Sequence, residues 1–373
     1  MALYDRVADL PLRIESTART RRERDTSSGF RRVTTTFELA GDGRTGRGED
    51  VTYATADHDA LAEAPPFDGS RADDDDGSRP GDDADRSDAP EPVDLTGEFT
   101  VDSFSTFLDG VDLFPTKPPE EERFRHYRRW AVESAALDLA LKQAGQSLGE
   151  ALDRSYDLVR FVVSTRLPDG EPDRVQELLA AYPDLELKLD PTEEWDEALI
   201  ETLVETGAVR ILDLKGHYEG TEVDTVPDRD LYARLFEAFP EAVFEDPALT
   251  DETDPIVRSH AEQVSWDAPI TGIESVEALP FAPEWLNVKP SRFGTVESVL
   301  DTLAYCEREG IRRYAGGQFE LGVGRAQVQA LASLFYPDAP NDVAPREFNE
   351  PEVREGLPTS PLDAPAGKPG FGP

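Results

Sequence analysis

Charged side chains stand at the ends of five short apolar runs in the middle of the sequence. Each run has the length and composition of a buried strand, where packing alone does not call for a charge. In chain order these residues are an ammonium, three carboxylates and a second ammonium: Lys188, Asp213, Glu245, Asp267 and Lys289. Three carboxylates from successive strands can converge on one hard cation, Mg²⁺ or alternatively Mn²⁺. A lysine on each side could then remove or return a proton next to a substrate carboxylate.

Such a site needs parallel strands whose carboxyl ends meet. The five apolar runs cover residues 185–190, 209–215, 243–247, 264–267 and 286–289. Helical patterns lie among them, at residues 194–206, 229–239 and 296–309. This alternation predicts parallel β/α units. We therefore predict an α/β chain built on a (β/α) barrel, the fold that places its chemistry at the carboxyl ends of its strands.

The order of these residues resembles the enolase superfamily. Within it, the resemblance is to the muconate lactonizing enzyme and o-succinylbenzoate synthase branch of the mandelate racemase/muconate lactonizing enzyme family. Three further stretches share it, at residues 41–49, 131–140 and 316–325. The resemblance implies a (β/α)7β TIM-like barrel with an N-terminal α+β capping domain. It also implies Mg²⁺ on Asp213, Glu245 and Asp267, with Lys188 and Lys289 as base and acid.

Two motifs depart from the family pattern. The second strand of the family usually ends in Lys-x-Lys, but here Glu186 precedes Lys188, so that Lys188 could take either of two inward positions. The third strand usually ends in Asp-x-Asn, whereas here Lys215 follows Asp213 by two residues and faces the same side. Lys215 is an additional base, a substrate anchor or a replacement for the missing lysine. Asp190, like Asp246, is interpreted as a helix cap.

Lysine is rare in this chain, and half of its six lysines terminate predicted strands. An amine can lose its proton when its pKa is lowered, whereas a guanidinium effectively cannot. We therefore predict catalytic roles for Lys188 and Lys289, with a lowered pKa at Lys289. The alternatives are structural ion pairs for the lysines and helix capping for the three carboxylates.

Four arginines cluster near the amino terminus, within a polar segment at residues 17–29 that is predicted to be a loop. They are Arg19, Arg21, Arg22 and Arg24. Because arginine binds carboxylates in forked pairs, one interpretation is a lid over an anionic substrate. The other is a solvated loop that balances nearby acids. Glu320, in the stretch at residues 316–325, is a further candidate for substrate contact.

The composition divides the chain into three parts. Residues 1–150 are predicted to form the capping domain, with a disordered acidic insert at about residues 57–93 that is too poor in apolar groups to fold. Residues 151–335 form the barrel that carries the site. The Pro/Gly-rich tail at residues 336–373 is expected to dock on the capping domain.

The formal net charge of −40 arises from 78 acidic and 38 basic residues. Nucleic acid is excluded as a partner, because phosphate binding needs a basic surface. We found no signal segment and no apolar run long enough for a membrane span, which indicates a cytoplasmic protein without a membrane partner. This acidic composition is typical of a halophile, whose proteins stay soluble in very high salt; the alternative is an acidic protein with a disordered tail. The lone cysteine, Cys306, is expected to be buried, and a homo-oligomer remains an option.

The expected activity is removal of the proton next to the carboxylate of a small carboxylic acid. Racemisation or epimerisation, dehydration and cycloisomerisation all share that step, so the sequence indicates an isomerase or a lyase without choosing between them. The alternative is a non-catalytic barrel that serves as a binding or regulatory module. In that case the altered Lys-x-Lys and Asp-x-Asn motifs would mark lost chemistry.

Overall fold

The computed structural model describes residues 2–27, 29–69, 93–167, 170–218, 225–365 and 367–372. The greater part of the predicted acidic insert, residues 70–92, lies outside the described residues.

The amino-terminal part combines two small antiparallel sheets with helices. Its strands are β1 Pro11–Ile14, β2 Ser16–Asp25, β3 Arg31–Gly41, β4 Arg44–Asp50 and β5 Gly97–Thr100. Its helices are α1 Asp5–Ala8, α2 Thr55–Glu63, α3 Val101–Leu108, α4 Phe124–Ala144 and α5 Leu148–Leu152. Strands β2, β3 and β4 form one sheet, and β1 pairs with β5. Helix α4 packs closely on β4 because Gly48 has no side chain: a Cβ there would lie 2.0 Å from the Ala131 carbonyl oxygen.

Two predictions about this region are wrong. The segment read as a loop forms most of β2, because each arginine pairs across the strand with a residue of β3, for example Arg21 with Thr35 and Arg22 with Thr34. Residues 57–63, assigned to the insert, belong to helix α2 instead. That helix is anchored by the buried side chains of Asp57, His58 and Leu61.

Seven parallel strands follow in sequence order around the second part of the chain. They are β6 Val163–Arg166, β7 Leu187–Asp190, β8 Val209–Asp213, β9 Val243–Glu245, β10 Val264–Trp266, β11 Trp285–Val288 and β12 Arg312–Ala315. Asn341 bridges to Phe161, and its neighbour Asp342 bridges to Gly316. These bridges supply the eighth position between β12 and the start of β6, and the predicted (β/α)7β barrel is confirmed.

Helices surround this barrel. They are α6 Asp173–Ala181, α7 Glu197–Thr206, α8 Arg229–Ala238, α9 Asp254–Ser259, α10 Ile273–Glu277, α11 Pro290–Phe293, α12 Val296–Glu309 and α13 Gly324–Phe335, with short 3-10 helices at Ala261–Gln263 and Arg346–Asn349. Several begin with a side-chain cap, in which the carboxylates of Asp196 and Asp228 accept from Leu199 N and Leu231 N. Such caps satisfy amide groups that have no partner inside the helix.

The two parts of the chain are joined by buried polar contacts. Glu49 on β4 accepts three backbone hydrogen bonds, each of 2.8 Å, from residues 321, 322 and 324 of the barrel. At the other end of the chain, Phe371 is buried against Trp130, and its amide donates to Asp138 Oδ1 over 2.9 Å. The tail therefore touches the helix that supports β4. Cys306 is buried, as expected.

None of the helices within the described ranges is both long enough and apolar enough to cross a membrane.

Candidate active site

Alternation along the strands brings one set of side chains to the mouth of the barrel. Ile211 and Val243 belong to a small buried cluster, and two residues further along their strands stand Asp213 and Glu245. Asp213 and Glu245 are direct partners in the parallel pairing of β8 with β9. Since side chains two residues apart point the same way, the interior of the barrel changes from apolar to carboxylate within one step.

Five residues predicted from strand ends lie in this mouth. The exposed fraction of their side chains and backbone is small: Lys188 2%, Asp213 0%, Glu245 0%, Asp267 0% and Lys289 8%. Buried charges need partners of opposite sign, and the contacts described below supply them.

Lys188 joins two of the carboxylates. Its Nζ donates to Glu245 Oε1 at 2.7 Å and lies 3.2 Å from Asp213 Oδ2. Burial alone would lower the pKa of Lys188, but these carboxylates hold that pKa well above its usual range. Glu186 binds Arg160 and Arg210 instead, at 2.6 and 2.7 Å. The sequence left open which of the two inward positions of the Lys-x-Lys motif Lys188 takes. In the structure Lys188 lies beside the carboxylates of the site.

Lys289 shares Asp267 with an arginine. Its Nζ donates to Asp267 Oδ2 at 2.8 Å, and Arg292 Nη2 donates to the same oxygen at 3.0 Å. The lowered pKa of Lys289 was predicted for a site that holds the metal, and it stays a prediction. Burial does act in that direction, but the Asp267 carboxylate outweighs it and raises the pKa of Lys289. In turn, burial would raise the pKa of Asp267, but Arg292 and Lys289 lower it.

Two residues that sequence reasoning missed hold the central carboxylate. Glu245 Oε2 accepts from Asn287 Nδ2 at 3.1 Å and from the Tyr314 hydroxyl through a short hydrogen bond. Burial and the neighbouring Asp213 raise the pKa of Glu245. The signal for Asn287 was its position two residues before Lys289, on the inward side of β11.

Two aspartates interpreted as helix caps have other roles. Asp246 accepts backbone hydrogen bonds of 2.8 Å from Asp267 and Ala268, which fixes the start of the loop after β10. Asp190 forms ion pairs with Arg166 at 3.4 Å and with Lys215 at 3.5 Å. The cap of α7 is Asp196, so the interpretation of Asp190 and Asp246 as caps is wrong.

Lys215 lies inside the same site. Its ammonium donates a short hydrogen bond to Asp213 Oδ2, and its backbone is left-handed, with φ of 53°. This lysine stands where the family pattern has asparagine, a residue that adopts that backbone region more readily.

The donor set fits a divalent cation by its chemistry. Asp213, Glu245 and Asp267 are buried carboxylates from three adjacent strands, and oxygen-only sets of this kind suit Mg²⁺. Asp267 Oδ1 is buried without a hydrogen bond from any residue in the described part of the chain, which leaves it free for a ligand. Over the same residues, no three His, Cys, Asp or Glu side chains are already arranged as metal ligands. The lysine ammonium groups bind these carboxylates instead.

The four arginines near the amino terminus lie on two opposite faces of β2. Arg19 Nη2 donates to the Ala64 carbonyl at 2.6 Å and Arg21 pairs with Asp59 at 3.0 Å, so both face helix α2. Arg22 and Arg24 point to the opposite face. A Cβ added at residue 322 of the barrel would lie 3.3 Å from Arg22 Nε.

Arg24 and Glu320 already have charged partners. Arg24 Nη1 lies 2.6 Å from Glu350, and Glu320 Oε2 lies 3.0 Å from Arg325 Nη2. By contrast, Arg22 forms no hydrogen bond or ion pair with the residues that the structure describes. Of the four arginines, Arg22 is thus the one both turned toward the barrel and available to a ligand.

Known proteins similar to this chain include enzymes named as a synthase and as racemases. The o-succinylbenzoate synthase of Bacillus subtilis (strain 168) is 26% identical over 57% of this chain and 58% of its own length. An N-succinylamino acid racemase of Amycolatopsis sp is 28% identical over 64% of this chain and 69% of its own length. The chain thus spans less than two thirds of the synthase.

Among solved structures, the dipeptide epimerase of Methylococcus capsulatus, complexed with Mg and the dipeptide L-Arg-D-Lys, superposes with a TM-score of 0.68. The two sequences are 17% identical, and the superposition covers 97% of this chain and 99% of the epimerase chain. Together with the relatives above, this likeness confirms the predicted resemblance to the enolase superfamily.

Two family models match almost the whole described chain. Residues 5–151 match the N-terminal domain of a family described as a domain of unknown function (DUF8230), and residues 155–350 match its C-terminal domain. The chain therefore belongs to the DUF8230 family, and it carries the fold of the enolase superfamily.

Proposed function

We propose that this chain is a divalent-metal-dependent enzyme that removes the proton next to the carboxylate of a small carboxylic acid, and that it racemises or epimerises that carbon. One observation carries the proposal: Lys188 and Lys289 stand on strands four positions apart in the barrel, on either side of three buried carboxylates. The relatives named racemase and the structural neighbour named epimerase support this choice among the isomerase and lyase outcomes.

In this proposal Asp213, Glu245 and Asp267 hold Mg²⁺, with Mn²⁺ as a substitute. The ion would supply Lewis-acid stabilisation of the negative charge that develops on the substrate carboxylate when the α-proton leaves. The burial of all three ligands excludes water from their inner side and strengthens every charge interaction in the site.

The two lysines perform the proton transfers. One Nζ takes the α-proton from one face of the carbon, and the other ammonium returns a proton to the opposite face, so the configuration inverts with no change in composition. A base must first be neutral. The carboxylates that raise the pKa of each lysine are the proposed ligands, and a carboxylate shared with a dication stabilises a neighbouring ammonium less.

Outside the reacting centre, Arg22 is the proposed contact for an anionic group of the substrate, because its guanidinium faces the barrel. Glu320 lies in the segment after β12. Its proposed role is to orient Arg325 or the substrate. Arg19, Arg21 and Arg24 keep their observed partners and support the strand that carries Arg22.

The metal site is tested by thermal unfolding with Mg²⁺ and with a chelator. The melting temperature of the wild type is expected to rise with Mg²⁺, since a ligand that binds only the folded state stabilises it. Asp213→Asn should abolish that rise. Asp196→Asn is the matched control: the charge change is the same, but asparagine caps a helix as well as aspartate does, so the response to Mg²⁺ should persist.

The chemistry is tested by incubating the loaded wild type in D₂O with a panel of N-acylated amino acids and dipeptides. Two-base racemisation predicts exchange of the α-proton in both enantiomers. Net elimination of water would favour dehydration, and a cyclic product of unchanged composition would favour cycloisomerisation. No response to Mg²⁺ in either wild type or Asp213→Asn would support the non-catalytic binding module instead.

A further inference from the structure

Lys215 is bound to Asp213 through both its side chain and its backbone. Its ammonium donates to Asp213 Oδ2, and its amide donates to Asp213 Oδ1 over 3.3 Å. Lys188 Nζ reaches the same Oδ2 at 3.2 Å. Both oxygens of Asp213 are therefore occupied by donors in this structure, although Asp213 is a proposed metal ligand.

A second carboxylate stands next to this group. Asp190 ends β7, and the register that pairs Leu189 with Leu212 puts Asp190 beside Asp213. Asp190 is buried, and its Oδ1 lies 3.5 Å from Lys215 Nζ. That separation is too long for a good hydrogen bond, and Oδ1 accepts none from the residues described here. A buried carboxylate oxygen with an unused acceptor position, beside a lysine, is uncommon because buried polar atoms are usually paired.

A dication on Asp213 would repel the Lys215 ammonium, and at such short range in a buried site the repulsion is large. The ammonium must then leave Asp213. Moving into water would cost it both its ion pairs, whereas Asp190 Oδ1 is already within reach. Arg166 Nε lies 3.4 Å from the other oxygen of this carboxylate, Asp190 Oδ2, which is close enough for an ion pair but too far for a good hydrogen bond.

We propose that Asp190 is the alternative partner of Lys215: the Lys215 ammonium, which binds Asp213 in this structure, moves to Asp190 when Asp213 takes up a divalent cation. Asp190 and Lys215 are thus positioning residues that act through Asp213. This inference rests on the proposed metal site. It accounts for the joint presence of Asp190 and Lys215.

The test is a double-mutant cycle on Mg²⁺ affinity, measured by isothermal titration calorimetry at constant ionic strength. Asp190→Asn should weaken Mg²⁺ binding by about 10-fold or more, the usual effect of losing a group that orients a ligand. Lys215→Gln should bind Mg²⁺ at least as tightly as the wild type. In the Lys215→Gln background, Asp190→Asn should then change the affinity by less than about 2-fold, because no ammonium remains to be moved.

An equal loss of affinity from Asp190→Asn in both backgrounds would overturn the inference, since it would mean that Asp190 contributes only its charge. The same conclusion follows if Asp190→Asn has no effect in the wild-type background. Asp190→Glu guards against a folding defect: it keeps the charge, and affinity within a few-fold of the wild type is expected. A crystal structure with Mg²⁺ gives a direct reading, with Lys215 Nζ expected within hydrogen-bond distance of Asp190.

Failure of this inference is separate from failure of the metal site. If the wild type binds Mg²⁺ and Asp213→Asn does not, the metal site stands whatever Asp190→Asn does. If the wild type itself binds no Mg²⁺, the proposed function fails and this inference fails with it.

Discussion

Lys188 and Lys289 differ in what surrounds them. Lys188 forms ion pairs with three carboxylates, Glu245, Asp213 and Asp342, whereas Lys289 shares one carboxylate with Arg292. Arg292 therefore lowers the pKa of Lys289 by repulsion, a contribution that the pairing with Asp267 overcomes. Lys188 is thus held by carboxylates alone, and Lys289 by a carboxylate that also binds a guanidinium.

Lys289→Arg is expected to reduce turnover by about 10²-fold or more, because a guanidinium keeps the charge but cannot exchange a proton. Folding and Mg²⁺ binding should stay close to normal. The measurement is α-proton exchange in D₂O, followed separately for each enantiomer by NMR. Exchange should be lost for the enantiomer whose proton faces Lys289.

The matched control is Lys142→Arg, in helix α4, whose ammonium binds Asp138 at 2.7 Å outside the site. Its turnover should equal that of the wild type. Near-normal turnover of Lys289→Arg would contradict the assignment, and Lys215 would become the better partner for Lys188.

At the residue scale, the sequence predicted the five charged residues at the strand ends. Their place at the end of a short apolar run can be recognised from a few neighbouring residues alone. The sequence did not predict that Asp190 pairs with Lys215, or that Asn287 and Tyr314 hold Glu245. Those contacts cross between strands, and they depend on register, including the irregularity between Leu187 and Lys188 where β7 meets β8.

Among the elements, helix α2 shows how composition misled the prediction. Its polar sequence has few apolar residues, but one face is buried on strand β3 through specific hydrogen bonds. His58 Nδ1 lies 2.9 Å from Thr35 Oγ1, and Nε2 lies 2.9 Å from the Thr52 carbonyl, which can only accept. A neutral ring with its proton on Nε2 satisfies both contacts. Pattern analysis cannot identify such a partner before the sheet is known.

His58 should make the stability of the fold depend on pH. Burial lowers the pKa of His58 below the ordinary 6.5, although the neighbouring Asp50 opposes this. The unfolded chain therefore takes up the proton first as pH falls. The contribution of His58 to stability is then complete above pH 6.5 and declines as pH falls toward the folded-state pKa.

The measurement is the free energy of unfolding of wild type minus that of His58→Gln, from urea titrations between about pH 7.5 and about pH 5.5. This difference should shrink on acidification. Taking a difference cancels the buried carboxyls Glu245 and Asp246, whose raised pKa values act in the opposite direction. A difference that grows as pH falls would mean that Asp50 stabilises the charged ring.

For the molecule as a whole, the (β/α) barrel followed from the alternation of strands and helices in the second part of the chain, whereas the capping domain was implied by the resemblance to the enolase superfamily. Strand β2 did not, because its arginines resemble a solvated loop until β3 is placed beside it. The eighth barrel position was also hidden, since it is reduced to bridges at Asn341 and Asp342. These short segments have no strand pattern of their own, and they are recognised as part of a sheet only through pairing with residues distant in the sequence.

The net charge of −40 predicts that salt stabilises the whole molecule. Raising KCl from about 0.1 M to about 1 M shortens the screening length from about 10 Å to about 3 Å, which relieves repulsion between surface carboxylates. The melting temperature should rise by on the order of 5 °C or more. Sucrose at equal osmolality is the control, and it should have the smaller effect. A melting temperature that stays constant or falls with KCl would exclude this interpretation of the acidic surface.

Because of the Glu49 carboxylate, the two domains of this protein have to be exchanged together when genes are recombined. This carboxylate belongs to the capping domain, but all three of its backbone donors belong to the barrel segment that follows β12. A capping domain recombined from a distant relative would leave those amides facing another side chain unless it too carried a carboxylate at this position. In gene shuffling or grafting, the productive crossover is therefore one that moves β4 and residues 321–324 as a single module.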